Sequence, residues 1–205
     1  MKRTPALLCV LAGLLGFMPA LHAQVVPAQA VAAVTAPPLM PAAGAQHPDV
    51  VIVEYMDYNC PYCRGMAPDL DRLLHADPRV QILYKEWPIL GDTSVYAARS
   101  ALAANWQGKY LLAHNALIGA SRDLEHNSDV DAVLRAAGLD LRRLDADRRA
   151  HAHEIDALLA RSARETQALG LQGTPGLLVG RHLLSSAQNL PQLQGLVAQS
   201  RGSAR

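Results

Sequence analysis

The stretch Val50-Val51-Ile52-Val53-Glu54-Tyr55-Met56-Asp57-Tyr58-Asn59-Cys60-Pro61-Tyr62-Cys63 decides the fold. Its first four residues are a β-branched run of the kind that builds a strand buried on both faces. Its last four are a C-x-x-C pair, and Cys9 is the only other cysteine in the chain. Pro61, one residue past Cys60, suits the first turn of a helix, where its missing N–H costs nothing. That helix is expected to run to about His75 with Leu70, Leu73 and Leu74 on its apolar side, bent where Gly65 and Pro68 interrupt it. Val80-Gln81-Ile82-Leu83-Tyr84 reads as a second strand, so strand, helix and strand make a parallel crossover.

Working toward the C-terminus, the pattern turns helical and rich in Ala and Leu from Ser94 to about Leu169. It is broken at Gly108, between Gly119 and Ser128, and at Gly138, which predicts a block of three to five helices. Gly173-Thr174-Pro175-Gly176 then leads into the strand Leu177-Leu178-Val179, a turn at Gly180-Arg181, the strand His182 to Ser185 and a last helix from Leu190 to about Ser200. The chain is therefore α/β in the order β-α-β, helical block, β-β-α. From Asp49 onward it has the size of one domain.

Toward the N-terminus, Lys2 and Arg3 precede an apolar run from Ala6 to Met18, and small residues follow around a cut after Ala23. Residues 1–23 read as a secretory signal peptide, and the run is too short for a comfortable membrane span. Cys9 raises the alternative of a lipoprotein signal, but Leu8 stands where a small residue is wanted. A cleaved signal places the mature protein in the periplasm or outside the cell. Removing Lys2 and Arg3 from the 19 basic residues leaves 17 against 18 acidic ones. This near-neutral balance argues against nucleic acid or an anionic membrane as partner. Residues 24–48 are Ala, Pro, Val and Gln with almost no charge and read as an extended tether, with Pro38 to Pro41 a candidate for a short edge strand.

Two cysteines at a strand-to-helix turn suit reversible dithiol/disulfide chemistry. Exchange needs a thiolate, and the N-terminus of a helix stabilises one through its dipole and its free backbone N–H groups. Cys60 occupies that end and is expected to be partly exposed and to attack, while Cys63, one turn inside, resolves. Pro61 and Tyr62 bring no formal charge to the pair, and Pro61 also deletes a donor. Half of a zinc site is the alternative reading, although no second C-x-x-C or H-x-x-x-H completes it. A structural disulfide is another, yet so small a loop would stabilise little. Glu54 sits in an apolar strand, where an unpaired carboxylate is costly. It is either a buried ionisable group or a strand-end residue paired with Lys85. Asp57 reads as a turn or capping residue, and Tyr58, Tyr62 and Trp87 to Leu90 as an apolar rim or, for Trp87, core.

Glu54 to Cys63, Trp87-Pro88-Ile89-Leu90-Gly91 and Gly170-Leu171-Gln172-Gly173-Thr174-Pro175 together resemble the DsbA-type thiol-disulfide oxidoreductases of the thioredoxin superfamily, most closely the secreted branch with a Cys-Pro-Tyr-Cys center. The resemblance spans nearly the whole mature domain. It implies a thioredoxin fold with an all-helical lobe inserted at about residues 94–169, and no cofactor. It implies that Thr174-Pro175 is a cis-proline loop facing Cys60, with the Thr174 hydroxyl near the sulfur, and that Glu54 is the proton acceptor for Cys63. Secreted or unfolded clients and a membrane redox partner that recycles the cysteines are the implied partners. Gly176 and Leu177 depart from the pattern of that branch, which has a larger residue and an aromatic there. The long helical extension that oligomerises some members is absent, which favours a monomer. Oxidase, disulfide isomerase or reductase, and copper or cytochrome assembly factor all remain compatible with the same two thiols.

Overall fold

The computed structural model describes residues 23–36 and 41–203. The expected signal peptide at 1–23 lies outside them apart from Ala23, as do Pro38 to Met40 of the candidate edge strand. In chain order the elements are β1 (Gln24–Val25), α1 (Ala28–Thr35), β2 (Ala42–Gly44), β3 (Val50–Met56), α2 (Pro61–Ala76) and β4 (Val80–Glu86). The helical lobe follows as α3 (Asp92–Ala104), a 3-10 turn at Asn105–Gln107, α4 (Tyr110–Ile118), α5 (Asn127–Ala136), α6 (Leu141–Ala150) and α7 (Ala152–Ala168). The chain closes with β5 (Gly176–Val179), β6 (His182–Leu184) and α8 (Leu190–Ser203). The strands form one sheet in the order β1-β6-β5-β3-β4-β2. This is the expected α/β thioredoxin architecture with a helical insertion.

β3 and β4 run parallel, from Val50 beside Val80 to Met56 beside Glu86, and β5 lies antiparallel on the other side of β3. Side chains alternate along a strand, so this register sends Ile52, Glu54, Met56, Ile82, Tyr84 and Glu86 to one face and Val53, Tyr55, Leu83 and Lys85 to the other. The first face carries the main core. There α2 contributes Cys63, Met66, Leu70 and Leu73, spaced three and four apart as one helical stripe demands. α8 and the lobe helices complete that core. The second face holds a smaller cluster of Val53, Tyr55, Leu83, Leu178 and Leu183 under Val26 and Val34.

Those last two residues correct the reading of 24–48 as an extended tether. Its described parts are folded: β1 pairs with β6 on one side of the sheet and β2 with β4 on the other. α1, between them, buries Val34. Its lack of charge, which reads as linker composition, is what lets it lie on an apolar sheet face. Arg161 of α7 donates to the carbonyls of Ala33 and Ala36 at the end of α1 and, at 2.7 Å, to Glu165. Glu165 also accepts from Lys85 at 2.6 Å and Tyr55 at 3.0 Å. Lys85 is buried, and burial lowers its pKa while Glu165 opposes the drop. Removing one member of such a pair leaves a buried charge uncompensated, at a cost of about 3–5 kcal/mol.

The lobe breaks where glycines mark it, but also at His151, between α6 and α7, where no glycine or proline stands. α2 is a single helix through Pro68.

Candidate active site

Cys60 is the N-cap residue of α2, with extended backbone at φ −74° and ψ 116°, and Pro61 follows at the first helical position. Cys63 lies in the first turn. Both are free thiols, and both are buried. Cys60 is only 3% exposed, which corrects the expectation of a partly exposed nucleophile. The residue that covers it belongs to the loop before β5: the Cys60 thiol donates to the Thr174 carbonyl at 3.2 Å. The Thr174-Pro175 peptide bond there is cis.

The two sulfurs are electrostatically unlike. A hydrogen bond from the Cys63 thiol is the largest effect on Cys60, and with donation from the Thr174 side chain and the backbone N–H groups of Cys63 and Tyr62 it outweighs burial and holds the Cys60 pKa down at about 5. Pro61 supplies no N–H, so Tyr62 and Cys63 are the first backbone donors of the helix that reach the sulfur. Cys63 moves the opposite way. Donating to Cys60, being buried, and facing the charge of Glu54 together push its thiol far above the ordinary range. The pair therefore holds a thiolate beside a thiol that keeps its proton.

Glu54 lies on the α2 face of β3, 2% exposed. Burial first, then the charges of Glu86 and Cys60, push its carboxyl up to about 8. It does not pair with Lys85, because the register puts the two on opposite faces and Lys85 binds Glu165.

Several groups around the cysteines went unread in the sequence. Glu86, on the same face as Glu54, is fully buried. Its Oε1 accepts from Tyr58 at 2.8 Å and Tyr110 at 2.7 Å, and its Oε2 meets no partner. Burial raises its pKa to about 8 against those two donors. The Tyr58 hydroxyl also lies 3.2 Å from Nδ1 of His114, whose pKa burial lowers to about 3. Tyr58 is thus buried polar core, not rim. Lys85-Glu86 closes an apolar strand with two adjacent charges, and the sheet buries both, Lys85 on one face and Glu86 on the other.

Asp57 is more than a turn residue. Its Oδ1 accepts from the Asn59 N–H at 2.8 Å and the Ser94 hydroxyl at 2.7 Å, and its Oδ2 from the N–H groups of Ile89 at 2.8 Å and Leu90 at 3.0 Å. The Cys60 N–H donates to its backbone carbonyl at 3.1 Å. Asn59 exchanges two hydrogen bonds of 3.0 Å with the backbone of Leu124, fixing the lobe against the cysteines. Of the expected rim, Tyr62, Ile89 and Leu90 are 67%, 42% and 49% exposed. Trp87 instead packs on the smaller core. Gly176 is a packing choice, since a Cβ there would stand 2.5 Å from Cδ1 of Leu171.

Residues 51–198 match the DSBA-like thioredoxin domain. A thioredoxin-like oxidoreductase from Silicibacter pomeroyi DSS-3 is 40% identical, with a TM-score of 0.79 over 83% of this chain and 97% of that one. The thiol-disulfide exchange protein alpha-DsbA2 from Wolbachia pipientis is 25% identical, with a TM-score of 0.77 over 83% and 91%. A periplasmic thioredoxin-like protein from Salmonella enterica serovar Typhimurium is 26% identical, with a TM-score of 0.71 over 87% and 99%. Among curated relatives, the Na(+)/H(+) antiporter NhaA 1 of Mycolicibacterium vanbaalenii is 30% identical over 133 residues, covering 63% of this chain and 21% of the antiporter. The chain spans about a fifth of the length of the first curated relatives it matches. With a family match over most of its length and a dithiol at the head of α2, the chain belongs to the DSBA-like thioredoxin domain family.

Proposed function

We propose that this protein exchanges disulfides with secreted client proteins in the periplasm, through Cys60 as the sulfur that meets the client and Cys63 as the sulfur that resolves. The observation that carries this reading is the asymmetry of the pair: Cys60 is held at about 5 while Cys63 is held protonated. Glu54 is the buried carboxyl that moves the Cys63 proton, and the Thr174-Pro175 loop presents backbone beside the reacting sulfur.

Starting from the disulfide, a client thiolate attacks Cys60 Sγ. A client–Cys60 bond forms, the Cys60–Cys63 bond breaks, and Cys63 leaves with the electron pair and takes a proton from the Glu54 carboxyl. A second client thiolate then attacks the client sulfur of the mixed disulfide, and Cys60 departs as thiolate. The low pKa makes Cys60 the better leaving group, which favours this oxidative direction. The client has lost two electrons and the protein has gained two. A membrane partner that accepts two electrons and restores the disulfide closes the cycle. In the reverse direction the Cys60 thiolate opens a client disulfide, and Cys63, giving its proton to Glu54, attacks Cys60 Sγ and releases the client as thiolate, which is the resolving step. The periplasmic setting rests on the n-region and apolar run of residues 1–23, with the periplasmic Salmonella relative in support. No helix among the described residues is long and apolar enough to cross a membrane.

Trapping tests the assignment. Cys63→Ser should accumulate client adducts that a reductant releases, while Cys60→Ser should form none. Equal adducts from both variants, or none from Cys63→Ser, would overturn it.

A further inference from the structure

Asp57 joins the reacting sulfur to an exposed apolar surface through its two polar ends. Its backbone carbonyl holds the Cys60 N–H, and its carboxylate holds the N–H groups of Asn59, Ile89 and Leu90 and the hydroxyl of Ser94. All four groups that meet the carboxylate are donors, and it has the lone pairs for all four. It is 1% exposed, so nothing in solvent substitutes for it. An asparagine would turn an NH2 toward N–H groups and lose part of the set.

What this clamp fixes is informative. Among the described residues seven large apolar side chains are exposed, and three of them, Tyr62, Ile89 and Leu90, flank the cysteines. Cys60 Sγ is buried, so a client sulfur must reach down to bonding distance, about 2.05 Å. Its neighbours, about 3.3 Å apart along an extended chain, are thereby laid over that rim.

We propose that Asp57 is a positioning residue for client choice: it sets Ile89 and Leu90 beside Cys60 so that the rim takes an extended apolar stretch of client flanking the reacting cysteine. This rests on the exchange reading above. The preference arises from burying apolar client side chains on the rim, and it is independent of the reactivity of the sulfur.

The test compares the oxidation of two dithiol peptides that differ only in apolar or polar residues beside the cysteine, with glutathione disulfide restoring the disulfide of the protein, and reads the ratio of their kcat/KM values. In the parent the apolar-flanked peptide should be favoured. Ile89→Ser with Leu90→Ser, and separately Asp57→Asn, should each lower the ratio about tenfold, or about 1.4 kcal/mol, mainly through KM. The triple variant should lose little beyond the larger single effect, because both changes act on one surface. Leu111→Ser with Leu112→Ser, an exposed apolar pair on α4, should leave the ratio unchanged. If the Ile89 and Leu90 variant keeps the parental ratio, the rim does not choose clients. If Asp57→Asn slows both peptides equally, its role is confined to the fold or the sulfur. Should Asp57→Asn fail to fold, the Ile89 and Leu90 variant decides the surface, and an additive effect of Ser94→Ala with it would count against the clamp. A parent that turns over neither peptide would refute the exchange reading itself.

Discussion

At the scale of the residue, Glu54 and Glu86 are both buried carboxyls pushed up to about 8. Unfolded, they return to the ordinary 4.5. Between those values the folded chain keeps protons that the unfolded chain has lost. Stability should therefore fall as pH rises from about 5 to 8, by up to about 1.4 kcal/mol per pH unit for each group, and level off above. Denaturant melts of the disulfide form, in which the cysteines do not titrate, should show this fall, and Glu86→Gln should flatten it. A parent whose stability is flat over that range would contradict the burial account. In the exchange assay, Glu54→Gln should slow resolution by Cys63 about 10- to 100-fold, at or below the usual range for a removed proton carrier. Unchanged resolution would remove Glu54 from the mechanism. Glu54 was legible in the sequence because a carboxylate in an apolar strand is costly wherever it lands. Glu86 and Asp57 were not, since each sits where a strand meets a loop and only the register shows which way it points.

At the scale of the element, the β-α-β unit and the β-β-α tail were legible because β-branched runs, Pro61 and the Gly180 turn mark them locally. The N-terminal elements were not. β1 and β2 are two and three residues long and are strands only because a sheet edge lies beside them. Gly44 shows how closely that edge is fitted: its φ is +94°, and a Cβ there would meet the Val80 carbonyl oxygen at 2.4 Å. Gly44→Ala should cost about 1–3 kcal/mol through left-handed backbone and the clash together. Gly65 is the contrast, exposed on α2 with nothing within 4 Å of the place a methyl group would take. Gly65→Ala should stabilise by about 0.5–1 kcal/mol from helix propensity alone. Denaturation midpoints check both signs, and a neutral Gly44→Ala would mean that β2 adds little to the fold.

At the scale of the whole molecule, the chain behaves as a support for one sulfur anion. β3 delivers the cysteines, α2 aims its N-terminus at Cys60, the Thr174-Pro175 loop covers it, and the lobe is tied to the same turn through Asn59. β1 and β2 are the two edge strands of the sheet, two and three residues long, so the ladder left open at either edge is short. A depressed pKa means that folding stabilises the Cys60 thiolate. That contribution is full above the ordinary thiol value of 9 and is lost as pH falls through about 5. The disulfide opposes it by constraining the unfolded chain, by about 2 kcal/mol for a bridge with two intervening residues, which sets how far the pH must rise above 5 before the dithiol form leads. Equilibrium unfolding of the dithiol and disulfide forms, side by side at pH 7 and pH 5, is therefore the most direct measurement. The dithiol form should be the more stable at pH 7, with its advantage shrinking toward pH 5; a disulfide form that is more stable at both, with a gap indifferent to pH, would contradict a stabilised Cys60 thiolate.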